Sequence, residues 1–245
     1  MPLITPQATV LFQGDSITDA GRSKDEPLAN DAASLGRGYA NLAAARLLAE
    51  FPGAPGNPGV TVHNRGISGN RVWSLRDRWE ADCLALKPTV VSILIGVNDT
   101  WHGVAKHQPV DVPEGGTSLG AFDRIYRELL DTTKQALPGV KLVLCEPFVL
   151  ECGAVAEMNF HPDIDERIKL VHAIADDYAD VFVPFQSVFN EALADAEPGA
   201  RSRAGDRGVD RAGARRRRAG GGGGNRHRPR ARADRAHGGA ARRAG

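Results

Sequence analysis

The sequence predicts an α/β protein in which a parallel sheet lies between two layers of helices. Two observations carry this prediction. Short apolar runs, typical of strands covered on both faces, alternate along the chain with longer amphipathic segments that are typical of helices. Polar and glycine residues follow several of the apolar runs directly, as they do where a strand ends in a turn.

Five apolar runs predict the strands of this sheet. Most are built from consecutive Val, Leu, Ile and Phe rather than from alternating apolar and polar residues. The runs are Ala8–Gly14, Val60–Asn64, Thr89–Ile95, Lys141–Glu146 and Val181–Phe185. In parallel sheets of this kind, ligands bind beyond the carboxyl ends of the strands, so functional residues are expected there.

Four amphipathic segments predict helices, over residues 38–51, 74–86, 118–137 and 163–179. In the first of them, Leu42, Arg46 and Ala49 are expected to lie around an apolar stripe. The last begins with acidic residues, which suit the positive end of a helix dipole.

Composition indicates one or two globular domains, with 245 residues of which 42% are hydrophobic. Cys83, Cys145 and Cys152 are too few and too scattered for a disulfide framework, and Cys145 is expected to be a buried thiol. Neither a secretory signal nor a run of about 18 apolar residues occurs, so we expect a cytoplasmic protein without a membrane partner. No spacing of Cys, His, Asp and Glu suggests a metal, and no cofactor is expected.

Charge divides the chain into two parts, and we place the boundary between domain and tail at residue 198. Residues 1–198 hold 16 Lys and Arg against 27 Asp and Glu, whereas residues 199–245 hold 15 Arg and 3 Asp. The tail has one large aliphatic residue, Val209, and no aromatic residue, so it is expected to be disordered.

Two explanations of this tail stay open. Clustered arginines attract phosphates, which would suit a segment that binds nucleic acid. We favour a frameshift near Pro198, because Arg, Gly, Ala and Pro have the codons richest in G and C, and no Lys accompanies the arginines. On that interpretation no nucleic-acid partner is expected.

The first predicted strand ends in Gly14-Asp15-Ser16, which puts the Ser16 hydroxyl at the carboxyl end of the sheet. Gly14 permits a sharp turn, and N–H groups at the start of a helix can face a developing negative charge. Asp and Ser are also ordinary helix caps, and this motif alone does not decide between cap and nucleophile.

The next two strands end in similar clusters. Gly69, after the second strand, can offer an unobstructed N–H to an oxyanion, although a simple turn explains this stretch equally well. Asn98, Asp99 and Trp101 follow the third strand, and the Asn98 amide is a second possible oxyanion donor. Three consecutive strands that end this way predict one shared site, because their carboxyl ends converge at one edge of the sheet.

These residues carry a family resemblance. The stretches "GDSIT", "NRGISGN" and "IGVND" match, in order and spacing, the first three sequence blocks of the SGNH (GDSL-type) ester hydrolases. The longer stretches "GDSITDAGR", "GRGYANL" and "EPFVLE" resemble the bacterial acetyl-xylooligosaccharide esterases within that family. The resemblance covers roughly residues 8–195 and implies a three-layer, flavodoxin-like sheet of five parallel strands, with residues 1–198 as a C-terminally incomplete hydrolase domain.

The resemblance also implies a role for each matching residue. Ser16 corresponds to the nucleophile, and its own N–H, the Gly69 N–H and the Asn98 side chain correspond to the oxyanion hole. Asp15 corresponds to an acidic residue that orders the nucleophile loop. Asp99 and Trp101 are expected to support the site or contact the substrate.

The base that should activate Ser16 is missing from its expected place. The family supplies it from a late Asp-x-x-His block, but here Val209 stands three residues after Asp206. Asp234 and His237 reproduce the spacing later in the tail, without the proline and apolar helix that follow the block in the family.

Three functions follow from these observations. The first is a serine esterase that removes acetyl groups from small carbohydrate esters and is impaired in this chain by the lost Asp and His. The second is an inactive protein that still binds carbohydrate or ester, and the third is a nucleic-acid binder that uses the arginine tail. The sequence indicates neither the identity of the ester nor the oligomeric state.

Overall fold

The computed structural model describes residues 3–25, 27–113 and 115–195, and it contains a single sheet of five parallel strands within these ranges. The strand order is β2-β1-β3-β4-β5, so the chain first adds β2 on one side of β1 and then adds β3, β4 and β5 on the other side. The strands are β1 (Thr9–Gly14), β2 (Thr61–Asn64), β3 (Val90–Leu94), β4 (Lys141–Cys145) and β5 (Val181–Val183). This arrangement confirms the predicted fold class, and each strand lies within its predicted run.

Helices occupy the connections between the strands. They are α1 (Ser16–Asp19), α2 (Ala32–Leu35), α3 (Tyr39–Glu50), α4 (Val72–Asp82), α5 (Val97–Thr100), α6 (Leu119–Ala136), α7 (Asp163–Tyr178) and α8 (Phe185–Asp195). Short 3-10 segments cover Leu84–Leu86 and Gly153–Glu157, and one π-helical turn covers Trp101–Ala105. The four long predicted helices correspond to α3, α4, α6 and α7, with ends that shift by a few residues.

The sheet buries apolar side chains on both faces. On one face, Leu11, Ile93 and Leu144 pack with buried residues of α4, α6 and α7. On the other face, Val10 and Phe12 pack with α3. Neighbouring residues of β1 therefore point to opposite layers, as the two-residue repeat of a strand requires.

The predicted stripe of α3 is wrong in one respect. Its Leu42 side chain is 74% exposed and lies on the outer surface of the helix. The fully buried residues of α3 are Ala40 and Ala44, and the partly buried residues that pack beside them are Tyr39, Ala43, Leu47 and Leu48.

Cys83 and Cys145 are buried free thiols and Cys152 is an exposed one, which agrees with the expected buried Cys145. In the described part of the chain, no helix has both the length and the apolar character needed to cross a membrane. The predicted tail, with the boundary at 198 and with Asp206, Val209, Asp234 and His237, lies outside the described residues.

Candidate active site

Ser16 is the first residue of α1 and lies at the carboxyl end of strand β1, which is flanked by β2 and β3. Asp15 caps this helix by accepting a hydrogen bond from the Ile17 N–H at 2.9 Å, so the capping interpretation of the motif holds for Asp15. Ser16 itself is exposed, and its hydroxyl has no hydrogen-bond partner within the described ranges. A nucleophile would need this combination of a fixed backbone and an open side chain.

Gly14 is required at the strand end by close packing rather than by an unusual φ angle. A Cβ atom at this position would collide with the Thr18 hydroxyl and with the Leu94 carbonyl oxygen of β3. Any larger residue would therefore displace α1 from the sheet, and Ser16 with it.

The loop after β2 lies against the Ser16 loop. The Ile67 N–H donates to the Gly14 carbonyl oxygen at 3.1 Å, which fixes the distance between the two loops. Gly69 has a φ of 82°, in the left-handed region that favours glycine. A Cβ atom on Gly69 would meet no atom within 4 Å, and the Gly69 N–H has no acceptor among the described residues.

Asn98 lies on α5, immediately after β3, and its side chain is buried. Its Nδ2 donates one hydrogen bond to the Asn70 carbonyl oxygen at 3.2 Å. Because a side-chain amide has two N–H donors, the second remains available, and it has no acceptor in the described part of the chain. The bond also places Asn98 beside the loop that carries Gly69.

The structure thus brings together three of the predicted site residues, Ser16, Gly69 and Asn98. The contacts that join their loops run from Gly14 to Ile67 and from Asn70 to Asn98. All three loops follow neighbouring strands in the order β2-β1-β3, at the edge where the carboxyl ends of the strands meet. Each residue carries a hydroxyl or an N–H group without a partner in the described residues.

Two buried carboxyl groups flank this site. Asp15 and Asp99 are each 1% exposed. The pKa of Asp15 is raised to about 7, mainly by burial and to a smaller extent by the neighbouring charge of Asp99, while the hydrogen bond from the Ile17 N–H opposes the rise. One oxygen of Asp15, Oδ2, has no hydrogen-bond partner in the described structure, which fits a carboxyl that is neutral in part at neutral pH.

Asp99 links the site to the start of α4. Its two carboxylate oxygens accept hydrogen bonds from the Val72 N–H at 3.1 and 3.3 Å, so it caps the helix that follows the Gly69 loop. Burial raises the pKa of Asp99 to about 6, and the positive charge of Arg167 limits the rise. Asp99 therefore holds the start of α4, next to the Gly69 loop, and its expected contact with substrate stays a prediction.

Trp101 begins the π-helical turn after α5 and is half-buried. Its ring packs with Val149, Phe160 and Ile164, while the Lys106 ammonium lies 3.8 Å from the ring centroid. Turns of this kind are frequent at functional sites. The expected role of Trp101 in substrate contact stays a prediction.

Two residues that sequence patterns did not identify hold this site together. Arg167 of α7 is fully buried and donates to the Thr100 hydroxyl at 3.0 Å and to the Thr117 carbonyl oxygen at 2.8 Å. It thereby fixes the end of α5, two residues beyond Asn98. Asp19 of α1 contacts the loop that carries Gly69, 49 residues away in sequence. The helical period of α7 predicts that Arg167 faces inward, but no local signal reveals either partner.

No histidine of the described ranges hydrogen-bonds to Ser16. His161 pairs with Asp165 and Glu151, at 2.7 and 3.2 Å, and His172 pairs with the buried Glu146 at 2.7 Å. The described residues also contain no group of three or more His, Cys, Asp or Glu side chains that could hold a metal ion.

Comparison with known proteins gives consistent similarities. The model of the GDSL-like Lipase/Acylhydrolase family matches residues 12–216. An acetylxylan esterase from Geobacillus stearothermophilus is 37% identical over 194 residues, which are 78% of this chain and 82% of that enzyme.

Solved structures agree with these matches. The structure of an acetylxylan esterase from Geobacillus stearothermophilus has a TM-score of 0.66 and 35% identity, over 81% of this chain and 85% of that one. A GDSL-like lipase from Parabacteroides merdae has a TM-score of 0.67 and 39% identity, over 79% of this chain and 85% of that one. Catalytic mutants of the Geobacillus enzyme replace a serine, an aspartate or a histidine by alanine.

Proposed function

Because the chain belongs to the GDSL-like lipase/acylhydrolase family and is by family a carboxylic ester hydrolase, we propose that it cleaves small acetyl esters through Ser16. The observation that carries this proposal is the convergence of the open Ser16 hydroxyl with two unoccupied N–H donors, on Gly69 and Asn98. Acetylated oligosaccharides are the proposed substrate class, since the curated relative is an acetylxylan esterase.

In the proposed reaction, the Ser16 Oγ forms a bond to the acyl carbon while its proton moves to a base. The carbonyl electrons move to the oxygen, and the tetrahedral oxyanion accepts hydrogen bonds from the N–H groups of Ser16, Gly69 and Asn98. Each such donor contributes about 10²–10³ in rate. When this intermediate collapses, the carbonyl re-forms and the bond to the sugar oxygen breaks. That oxygen takes the proton from the base and leaves as a hydroxyl, and water then hydrolyses the acetyl-Ser16 ester.

The proposed reaction needs a base that accepts the Ser16 proton, and the sequence lacks one at the expected position. A serine hydroxyl needs an adjacent base at neutral pH, and Val209 stands where the family pattern calls for histidine. Without a base, the oxyanion hole and substrate binding retain only about 10³–10⁴ of acceleration over water. We therefore propose that this chain turns over acetyl esters slowly, and that its slowness comes from the missing proton acceptor rather than from a damaged oxyanion hole.

Chemical rescue separates these two causes. We expect p-nitrophenyl acetate hydrolysis by the full chain to be slow, and to rise at least about tenfold with imidazole, which can occupy the place of the absent side chain. Imidazole also hydrolyses this ester by itself, so Ser16→Ala at the same imidazole concentration is the matched control. Acetate release from acetylated xylo-oligosaccharides, measured with the same pair of proteins, tests the substrate class.

Two outcomes would contradict the proposal in different ways. Fast turnover that needs Ser16 but no imidazole would show that the chain has a working base, and His237→Ala would then identify or exclude His237. Equal rates for the native chain and Ser16→Ala at every imidazole concentration would exclude hydrolysis at Ser16 and favour a protein that binds esters without cleaving them.

A further inference from the structure

The Asp19 carboxylate is buried within the nucleophile helix but serves the neighbouring loop. It is 1% exposed, and its Oδ2 accepts hydrogen bonds from the Ser68 N–H at 3.0 Å and from the Ser68 hydroxyl at 2.8 Å. Lys24 pairs with the same oxygen at 2.8 Å, and the Arg22 N–H donates to Oδ1 at 3.2 Å. Residues of α1 and of its following turn are thus joined through one carboxylate to the residue before Gly69.

All the groups around Asp19 are donors. An ionised carboxylate is an acceptor only, so its two oxygens satisfy every one of them. The pairing with Lys24 and the bonds from Ser68 hold the pKa of Asp19 below its usual range although burial opposes this. Asp19 is therefore a fixed negative charge at the pH values where esters are assayed.

Ser68 precedes Gly69 directly, and the Gly69 N–H belongs to the peptide that joins the two residues. The bonds to Asp19 hold the N–H and the hydroxyl of Ser68, so they fix the residue from which that peptide extends. Both bonds from Ser68 go to one oxygen, and together they fix the backbone and the side chain of that residue. Gly69 itself has a φ of 82° and no side chain that packs against the protein. The Asn70 N–H donates to the Ile67 carbonyl oxygen at 3.1 Å and closes a turn over Ser68 and Gly69, so the direction of the Gly69 N–H is set by this turn and by the bonds that hold Ser68.

The geometry points to Asp19 as a positioning residue for the oxyanion hole, one that aims the Gly69 N–H through Ser68 while remaining out of contact with the substrate. This inference rests on the proposed function of Ser16. In this inference Asp19, a residue of the helix that begins with Ser16, positions the Gly69 N–H, which belongs to the loop after a different strand, β2. Nucleophile and donor would consequently move together, because Ser16 and Asp19 share the same short helix.

Asp19→Asn is the informative substitution. An amide has one acceptor and one donor end, so in either orientation it presents an N–H group to Ser68 and Lys24 or to Arg22. Asp25→Asn is the matched control, because it removes an exposed carboxylate from the segment that follows α1. Ser68→Ala removes the hydroxyl bond and leaves the backbone bond.

In the imidazole-assisted assay, we expect Asp19→Asn to lower kcat about 10- to 100-fold with KM changed less than about threefold, as for loss of a transition-state donor. Ser68→Ala should lower kcat less, and the double variant should fall no further than Asp19→Asn alone, since both act through one contact. Asp25→Asn should match the native chain. A folded Asp19→Asn protein with unchanged kcat would overturn the inference.

An NMR measurement tests the same contact without turnover, and so separates this inference from the proposed function. We expect the Ser68 amide to exchange its hydrogen at least about tenfold faster in Asp19→Asn, and the Gly69 amide resonance to shift, with neither change in Asp25→Asn. Unchanged Ser68 exchange and an unshifted Gly69 amide would overturn the inference, even if Ser16 proves to be the nucleophile.

Discussion

Asp15 and Ser16 are adjacent in sequence, yet the structure gives them opposite environments. The Ser16 side chain is exposed, whereas the Asp15 carboxyl is buried with one oxygen unpartnered in the described structure. A buried and unpaired carboxylate is costly, and the protein avoids the cost by binding a proton near neutral pH. Asp15 thus caps α1, and because its carboxyl is buried it makes the free energy of unfolding depend on pH.

We expect Asp15→Asn to remove part of that pH dependence. Between about pH 4 and pH 7 the unfolded chain has lost this proton and the folded chain keeps it, because the pKa rises from 3.8 to about 7 on folding. The stability of the native protein therefore falls with rising pH across this window, by up to about 1.4 kcal/mol per pH unit from this group. Asparagine keeps the cap without titrating.

Urea unfolding of both proteins at several pH values measures this effect. The unfolding free energy of Asp15→Asn relative to the native chain should rise from pH 4 to pH 7 and be constant above. A difference that is the same at every pH would mean that Asp15 is ionised throughout, and Asp25→Asn controls for the loss of one negative charge.

Sequence patterns identified polar residues that follow the strand ends, including Asp15 and Asp99, but they did not identify Asp19 and Arg167. Ser16, Gly69 and Asn98 each lie within five residues of the end of a strand, in a polar or glycine-containing cluster that follows an apolar run. Asp19 and Arg167 make their decisive contacts with Ser68 and Thr100, which are distant in sequence. Local periodicity carries no information about such partners, because they are set by how the strand ends come together.

At the scale of elements, α4 and α6 are joined by a buried polar bond within an apolar layer. The Trp79 Nε1 donates to the Thr133 hydroxyl at 2.9 Å, and that hydroxyl donates to the Leu129 carbonyl oxygen at 2.6 Å. Trp79 and Thr133 are almost fully buried. Their contact holds together two helices of the layer that covers one face of the sheet.

Thr133→Val tests how much this contact contributes to the free energy of unfolding. Valine preserves the shape but leaves the Trp79 N–H without an acceptor, so we expect a loss of about 1–3 kcal/mol in the free energy of unfolding. Thr132→Val makes the same change at an exposed neighbour and should cost less than about 0.5 kcal/mol. Equal losses in the two variants would show that helix propensity, and not the indole bond, decides the effect.

The long helices and the strands could be predicted from the sequence, whereas the short helices could not, and the difference has a physical reason. In buried strands and in amphipathic helices such as α6, the spacing of apolar residues repeats over several residues or turns, so the period can be recognised in the sequence. α1 and α2 have four residues each, too few to show a period, and they exist because Asp15 and Asp31 cap them. The exposed Leu42 shows that a large apolar residue within a predicted helix need not face the core.

At the scale of the whole molecule, exposed aliphatic residues gather toward the end of the described chain. Val181, Val188 and Leu193 are 37%, 50% and 45% exposed. Phe185, Val188 and Phe189 share one face of α8 by their spacing, and Phe148 lies 4.6 Å from Phe189 between ring centroids. An apolar surface of this kind favours association between molecules.

We expect Val188→Lys to reduce self-association of the full chain, measured as light scattering at increasing protein concentration. Leu42→Lys makes the same chemical change at a 74% exposed site on α3 and should have a smaller effect, since Leu42 lies outside this aromatic group. If both variants scatter like the native chain, the surface around α8 does not drive association.

The contact between Glu146 and α8 gives a fixed starting point for engineering a base into the proposed active site. Glu146, directly after β4, accepts hydrogen bonds from the Gln186 and Ser187 N–H groups at 2.8 and 3.3 Å and binds His172 with its other oxygen. The first turn of α8 is thereby anchored to the sheet from outside the helix. If the chain lacks its base, as proposed above, a segment with an Asp-x-x-His block could be added after α8, and it would start from a helix whose first turn the sheet already fixes.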